Sequence, residues 1–289
     1  MRRAIETPNL SVTECHRCGH HVARHRTSAT PAADYHRQYE QGEFLDSLAA
    51  TRRHQAAQIW DLLCGQVTPP DAILDFGAGR GWLLQQARTN GATQLAGADT
   101  SPLSVDGLRA GGIEGLLLPV PTASGWDLPF GDLSFRPRIL TLLDVIEHFP
   151  VDRLPAMFAA ILSGLRPELR FVVVKVPVAD GLLYRLAGLL ARVRVFGPLE
   201  QLYQVGTEPP HFSYFSRRSL DVFLGNHALR VVAQAGLLEF DRDSLGARAG
   251  ALRRLPRGLT RRLGAILARV AALTWQDSRA IVAVVDADR

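Results

Sequence analysis

The sequence has almost no lysine. Its 33 basic residues include a single lysine, Lys175, and the others are arginine. A phosphate-binding loop with the Gly-Lys-Ser/Thr pattern is excluded, because Lys175 follows Val174. A dehydrogenase that needs a tyrosine four residues before its lysine is also excluded, since Phe171 holds that position. The arginine excess suggests a codon bias, so the formal charge of +5 is weak support for a nucleic-acid partner.

Cysteines and long apolar runs are scarce as well. The three cysteines, Cys15, Cys18 and Cys64, are typical of a reducing compartment. The longest apolar run lies near Phe171–Val176, where the lysine interrupts it, far short of the roughly 18 residues of a membrane span. Residues 1–6 lead into polar sequence without an apolar segment. We therefore expect a cytoplasmic protein without a secretory signal or transmembrane segment.

From residue 72 onward, short apolar strands alternate with helical segments. Strands are predicted near residues 72–76, 94–99, 113–118, 139–144, 169–176, 229–235 and 279–286. This alternation is typical of βαβ units, so the sequence predicts an α/β fold with a doubly wound, seven-stranded, mostly parallel sheet. We expect a polar N-terminal segment over residues 1–33, rich in cysteine and histidine, and one domain over residues 34–289. Helical insertions are predicted at about 181–204 and 245–275.

Three glycines, Gly77, Gly79 and Gly81, lie between the first of these strands and the next helix. Glycine permits positive φ and close approach of a ligand, and the free N–H groups of a helix start favour an anion. The spacing is G-x-G-x-G, which differs from the G-x-G-x-x-G of a dinucleotide site. We expect a ligand with a carboxylate or phosphate here, the alternative being an ordinary strand-to-helix turn.

Asp99 ends the next predicted strand, 20 residues after Gly79. A carboxylate at this place can accept hydrogen bonds from both hydroxyls of a ribose. The alternative is that Asp99 caps the following helix. That role falls more naturally to Thr100 or Ser101, because Pro102 prefers the first helical turn.

Asp144, Glu147 and His148 follow the fourth predicted strand. Ligands of an open α/β sheet bind at the carboxyl ends of its strands, so these side chains are candidates for catalysis. His148 is the candidate general base, because an unperturbed histidine has a pKa near neutrality. In the alternative interpretation the two acids cap the next helix and His148 packs in the core.

Together, Leu74–Leu83, Asp99 and Leu142–His148 resemble the class I S-adenosylmethionine-dependent methyltransferases. The likeness is to the branch that methylates small molecules, including enzymes of quinone and natural-product biosynthesis, and it covers about Tyr35 to Asp286. It implies transfer of a methyl group from S-adenosylmethionine to a small organic acceptor, with a hydroxyl oxygen favoured over carbon or nitrogen. The full ligand set of a metal site is not visible, so no metal is expected.

The resemblance also implies which residues bind the cofactor. They are Asp75, Gly77, Ala78, Gly79, Asp99, Thr100, Ser101, Trp126, Asp127 and Tyr39. The glycine loop would pass the methionine portion, Asp99 would hold the ribose, and the residues after the third strand would frame the adenine. Either Asp127 or a backbone carbonyl contacts the adenine amino group, and Tyr39 either touches the cofactor's carboxylate or packs in the core.

A second histidine, His211, lies in a segment that resembles the His-x-x-Tyr-Phe pattern of the same family. The resemblance places this segment beside the acceptor pocket and makes His211 the rival base. Packing of Phe212 and Phe215 in the core is compatible with this role.

Cys15, Cys18 and Gly19 form a C-x2-C-G fragment that resembles half of a zinc knuckle. A complete site usually needs a second pair of ligands. His20, His21 or His25 could complete the shell, but their spacing is tight, so bound zinc is not the favoured interpretation.

Both helical insertions combine apolar stripes with arginine. In the first, Leu182, Leu186, Leu189 and Val193 recur at helical spacing, and the second has seven arginines and no acid over residues 244–276. Either insertion could cover the site or rest on anionic lipid. We favour intramolecular packing of the stripes, with the arginines in solvent.

Two other classes of protein remain as alternatives. An RNA-modifying or nucleic-acid-binding protein is supported by the arginine-rich insertion and opposed by the lack of interleaved aromatic and basic residues. A cofactor-binding module without catalysis is opposed by the intact acid and histidine group at residues 144–148. The expected partner is thus a small-molecule acceptor and not a nucleic acid, with peripheral membrane contact left open.

Overall fold

The computed structural model describes residues 2–26, 42–119, 126–238 and 276–286. The chain divides into two compact units, the first formed by residues 1–55, 177–217 and 236–279 and the second by residues 56–176, 218–235 and 280–289. Tyr39 and the whole of the second predicted insertion lie outside the described residues.

The strands of the described part are numbered in chain order. They are β1 (Arg2–Glu6), β2 (Leu10–Glu14), β3 (His21–His25), β4 (Ile73–Phe76), β5 (Leu95–Asp99), β6 (Glu114–Leu117), β7 (Ile139–Leu143), β8 (Phe171–Pro177), β9 (Ser213–Tyr214), β10 (Leu229–Leu237) and β11 (Ser278–Val285).

The α-helices of the same residues are numbered in the same way. They are α1 (Gly42–Cys64), α2 (Trp82–Thr89), α3 (Pro102–Ala110), α4 (Leu154–Leu165), α5 (Leu182–Arg192), α6 (Gly197–Leu202) and α7 (Arg217–Asn226). Short 3₁₀ turns occur at Phe130–Asp132 and Ile146–His148. None of the helices in the described ranges is both long and apolar enough to span a bilayer.

The second unit contains a seven-stranded sheet with the order β10-β11-β8-β7-β4-β5-β6. β4 pairs in parallel with both β5 and β7, and β6 and β8 extend this parallel core on either side. β11 runs antiparallel to β8, because the Val285 N–H at its end donates to Arg170 O just before β8. The predicted doubly wound, mostly parallel sheet is confirmed, and each of its seven predicted strands overlaps an observed one.

The central strands of the sheet consist mostly of apolar residues, as strands buried on both faces do. Val172, Val173 and Val174 of β8 are fully buried, as are Ile73 and Leu74 of β4, because helices cover both faces of a parallel sheet. Chain order reverses at β4, which lies between β5 and β7. The carboxyl ends of these three strands therefore form the crevice where ligands of such sheets bind.

The first unit contains a four-stranded antiparallel sheet with the order β1-β2-β3-β9. β2 and β3 pair as a hairpin, with Val12 opposite Ala23. Sequence patterning did not predict these strands, because only a few positions such as Leu10, Val12 and Ala23 are buried and most of the other strand residues are polar. The helices α5 and α6 also belong to this unit and lie within the predicted first insertion.

The C-x2-C-G fragment forms the turn of the β2–β3 hairpin. Gly19 has φ of 71°, and its N–H donates to Cys15 O at 2.8 Å. Backbone N–H groups of Cys18 and Arg17 hydrogen-bond to the Cys15 sulfur and hold the pKa of this thiol below its usual range. All three cysteines are free thiols.

The prediction that the apolar stripe of α5 packs inside the molecule is wrong. Of the four stripe residues only Leu182 is buried, whereas Leu186, Leu189 and Val193 are exposed. The helix packs instead through the small residues Ala187 and Ala191 on its opposite side.

Candidate functional site

The glycine loop follows β4 at the carboxyl edge of the sheet. Gly77, Gly79 and Gly81 all have positive φ, at 74°, 52° and 67°. The N–H groups of Gly77 and Ala78 donate to Ala98 O at 2.8 and 3.1 Å, so the loop stays attached to β5 as it turns. Left-handed conformations at three alternate residues explain why the sequence has glycine at each of them.

The loop also packs closely against Val145, which lies just after β7, and against Leu108 of α3. A Cβ atom on Gly77 would lie 2.5 Å from Cγ2 of Val145, and one on Gly81 would lie 2.5 Å from Cδ2 of Leu108. Gly81 is the N-cap of α2, and within the described ranges no side chain caps this helix start. The first N–H groups of α2 are thus left for a ligand or solvent.

Asp99 lies at the end of β5 and binds two loops through backbone N–H groups. Its Oδ2 accepts from Gly79 N at 2.8 Å, and its Oδ1 accepts from Ser101 N at 2.8 Å. Ser101 is the N-cap of α3, with Pro102 in the first turn, while Thr100 is exposed. Each carboxylate oxygen has a second lone pair, so Asp99 can still accept from a diol.

Asp75 is buried within β4 and accepts a hydrogen bond from Thr141 Oγ1 at 2.5 Å. Burial raises the pKa of Asp75 from its ordinary value of 3.8 to about 7; the Thr141 hydrogen bond opposes this shift, and the nearby charge of Asp99 adds to it. This acid therefore titrates near neutrality.

Trp126 connects the region after β6 to the end of β4. Its ring packs edge-on against Phe76 at 5.4 Å and against Phe149 at 5.8 Å, and its Nε1–H donates to Pro119 O at 2.8 Å. Asp127 is exposed. The structure thus brings Trp126, but not the Asp127 side chain, into the packing at the edge where the glycine loop lies.

Asp144 pairs with Lys175, a residue that was not among the predicted site residues. The lysine is 1% exposed, and its Nζ donates to both carboxylate oxygens of Asp144 at 2.6 and 2.7 Å. The Asp144 N–H also donates to Lys175 O at 2.8 Å, and Asp144 has φ of 57°. Aspartate tolerates this conformation better than most residues, and its contacts with Lys175 help to hold it here. The lone lysine is the signal that could have indicated this pair.

Glu147 and His148 lie in the 3₁₀ turn directly after this pair. Glu147 is fully buried and His148 is half-buried. A carboxylate oxygen of Glu147 and a ring nitrogen of His148 lie within 4.8 Å of each other. The structure therefore brings the acid and the candidate base together at the end of β7.

His211 belongs to the first unit and is buried there. The Gln204 amide nitrogen lies 3.0 Å from Nε2 of His211. The backbone carbonyl oxygen of His211 accepts a hydrogen bond from His25 Nε2 at 2.9 Å. The Gln204 side chain therefore holds the ring of the rival base in a buried position.

Two small cavities lie elsewhere in the second unit. One of about 190 Å³ is lined by residues that include Arg136 and Glu168, and one of about 110 Å³ by residues that include Asp71 and Gln94. These residues precede strands of the sheet. The cavities therefore lie at the amino edge, opposite the glycine loop, and are not the candidate site.

The ion pair of Lys175 and Asp144 is testable by a double-mutant cycle. Lys175→Met leaves a carboxylate without its ammonium partner, and Asp144→Asn leaves a buried charge without its counterion. Each single variant should lose about 3 kcal/mol of unfolding free energy, because one partner of a buried pair is then uncompensated. Chemical denaturation should show that the double variant loses clearly less than the sum. Strictly additive losses would mean that the pair does not interact energetically.

Asp75 predicts a pH dependence of stability. The pKa of this acid is higher in the folded chain than in the unfolded chain, so between pH 4 and pH 7 the folded state binds more protons. The contribution of Asp75 to the free energy of unfolding is therefore complete below about pH 4. It is lost as the pH rises through about 7, and the loss is at most roughly 4 kcal/mol. The melting temperature of the wild type should therefore fall between about pH 4 and pH 7, and Asp75→Asn should remove this part of the fall. An unchanged slope in the variant would contradict the assignment.

Comparison with known proteins completes the description of the site. A family model described as a methyltransferase domain matches residues 35–234. Curated protein sequences contain no match. A SAM-dependent methyltransferase from Archaeoglobus fulgidus has a similar fold, with 15% identity, a TM-score of 0.51 and coverage of 84% of this chain and 99% of that one.

Two further solved structures have the same fold. Magnesium protoporphyrin IX methyltransferase from Synechocystis PCC 6803, with bound SAH, is 15% identical, with a TM-score of 0.50 and coverage of 87% of this chain and 93% of that one. A mycolic acid cyclopropane synthase, complexed with SAH and CTAB, is 14% identical, with a TM-score of 0.50 and coverage of 80% and 84%. Identities this low show the fold alone. The family model covers more than half of the chain, and the chain therefore belongs to the methyltransferase-domain family.

Proposed function

We propose that the protein transfers a methyl group from S-adenosylmethionine to a hydroxyl oxygen of a small organic acceptor, with His148 as the general base. The observation that carries this proposal is the position of Asp99. Its carboxylate lies at the switch point of the sheet, hydrogen-bonded to the glycine loop and to the start of α3, in a chain of the methyltransferase-domain family.

The residues at this edge fit the proposed cofactor. The uncapped start of α2 offers N–H donors to a carboxylate, and Asp99 offers lone pairs to a ribose diol. Trp126 presents an aromatic ring beside Phe76 for the adenine. When bound, S-adenosylmethionine supplies an electrophilic methyl group on a sulfonium.

The protein's own contribution to chemistry is positioning and proton removal. An acceptor hydroxyl becomes a better nucleophile as His148 accepts its proton, and the resulting imidazolium is stabilised by a carboxylate nearby. Glu147 lies within 4.8 Å and is in place for this role. His211 is the rival base.

The small-molecule acceptor is supported by the chemistry of similar proteins. Two of them are named for magnesium protoporphyrin IX and for mycolic acid. Their acceptors differ widely, so a cell extract incubated with methyl-labelled S-adenosylmethionine, followed by mass spectrometry of the labelled products, is the experiment that identifies the acceptor.

Calorimetry tests the cofactor site directly. The protein should bind S-adenosylmethionine and S-adenosylhomocysteine but not NAD. Asp99→Ala should weaken binding by about 1 to 3 kcal/mol, because charge-assisted hydrogen bonds to the ribose are lost.

Asp71 provides a matched control for this variant. Its carboxylate accepts backbone N–H groups of Thr93 and Gln94, as Asp99 does at the other edge of the same two strands. Asp71→Ala should therefore lower stability but leave cofactor affinity unchanged. If both variants bind equally well, Asp99 is not part of the cofactor site.

Kinetics with the identified acceptor test the base. His148→Ala should lower kcat by about 10² to 10⁴ with little change in cofactor affinity, because general-base assistance has this magnitude. The acidic limb of the pH–rate profile should flatten in the same variant.

Two histidines serve as comparisons. His227 packs against Phe158 and Phe223, and His227→Ala should leave kcat unchanged. His211→Ala tests the rival. Wild-type turnover by the His148 variant together with an inactive His211 variant would transfer the assignment of the base to His211.

A further inference from the structure

Helix α5 and the residues after it expose an unusual amount of aliphatic side chain. The exposed residues are Leu186 at 37%, Leu189 at 56%, Leu190 at 39%, Val193 at 69% and Val195 at 48%. The first four follow the i, i+3, i+4, i+7 spacing of one helix face. Single exposed aliphatic residues are ordinary, but five on one continuous segment form a patch of the kind that marks an interaction surface.

The opposite face of α5 is firmly packed, so this exposure does not come from a detached helix. Tyr184, Ala187 and Ala191 belong to the buried core of the first unit, together with Leu10 and Val12. The Tyr184 hydroxyl also lies 2.7 Å from the hydroxyl of Tyr203. The aliphatic face is therefore held outward by a well-anchored helix.

The charged residues of this segment have one sign. Arg185, Arg192 and Arg194 are exposed, and no acidic residue occurs between Gly181 and Pro198. That stretch also contains no serine, threonine, asparagine or glutamine. The exposed side chains are thus aliphatic or cationic, with none of the neutral polar groups that usually mix with apolar residues at protein surfaces.

We propose that this face, which we name the α5 surface, rests on an anionic lipid bilayer. Leucine and valine side chains enter the boundary between headgroups and acyl chains, and arginine stems extend from it to the lipid phosphates. Charge complementarity selects the occupant. A symmetric contact between two copies of the chain would bring the same arginines face to face, whereas a phosphate-rich surface neutralises them.

Vesicle flotation with the full chain tests the proposal, which is independent of methyl transfer. The protein should float with vesicles of phosphatidylcholine and phosphatidylglycerol, and much less with phosphatidylcholine alone. Leu189→Glu combined with Val193→Glu should lower partitioning at least about 10-fold, because two aliphatic insertions are lost. Arg192→Gln combined with Arg194→Gln should lower it by roughly 25-fold, about 5-fold for each arginine.

Val222→Glu is the matched control, because Val222 is 49% exposed on α7 and lies outside the α5 surface. This variant should float like the wild type, and all variants should melt like the wild type, since every changed side chain is exposed. Failure of the wild type to float with anionic vesicles, or equal flotation of the Leu189 and Val193 double variant, overturns the proposal. A dimer in sedimentation that the same double variant dissociates also overturns it, since the surface would then join two copies of the chain.

Discussion

The carboxylate of Asp99 joins two loops that would otherwise be independent. β4 and β5 are parallel, with Phe76 opposite Ala98, so the chain leaves both strands at the same edge of the sheet. Two backbone N–H groups, one from the glycine loop and one from the start of α3, converge on this side chain. The left-handed glycines and the helix starts follow from that geometry, because only a tightly turned loop can direct the N–H of Gly79 toward β5.

Three aspartates occur at or near this edge, and each is stabilised in a different way. Asp99 accepts from backbone N–H groups, and both carboxylate oxygens of Asp144 accept from Lys175 Nζ. Asp75 has no such compensation for its burial, so its pKa rises to about 7. The only lysine of the chain therefore pairs with Asp144, the acid whose backbone is left-handed. This partner compensates the charge and helps to hold the conformation. Removing it should disturb the turn that carries Glu147 and His148.

The sheet and the glycine loop could be predicted from the sequence, because each strand is a short, nearly continuous apolar run and the loop has glycine wherever φ is positive. The pair of Lys175 and Asp144 could not, since 31 residues separate its members and only the pairing of β7 with β8 brings them together. The strands β1 to β3 were missed for a different reason. A sheet with one buried face needs few apolar residues, and short polar strands carry little periodic signal.

The α5 helix shows why hydrophobic periodicity alone could not tell a buried face from an exposed one. Both of its faces are apolar, and the choice between them depends on the space available in the first unit. The rings of Tyr184, Tyr203 and Tyr214 lie 4.7 to 6.0 Å apart and fill much of the core against the antiparallel sheet. Alanine allows α5 to approach this layer closely. A Cβ atom added to Gly188 would lie 3.5 Å from Ile5, which is ordinary van der Waals contact. Leu186, Leu189 and Leu190 are therefore directed outward, onto the face that we propose rests on lipid.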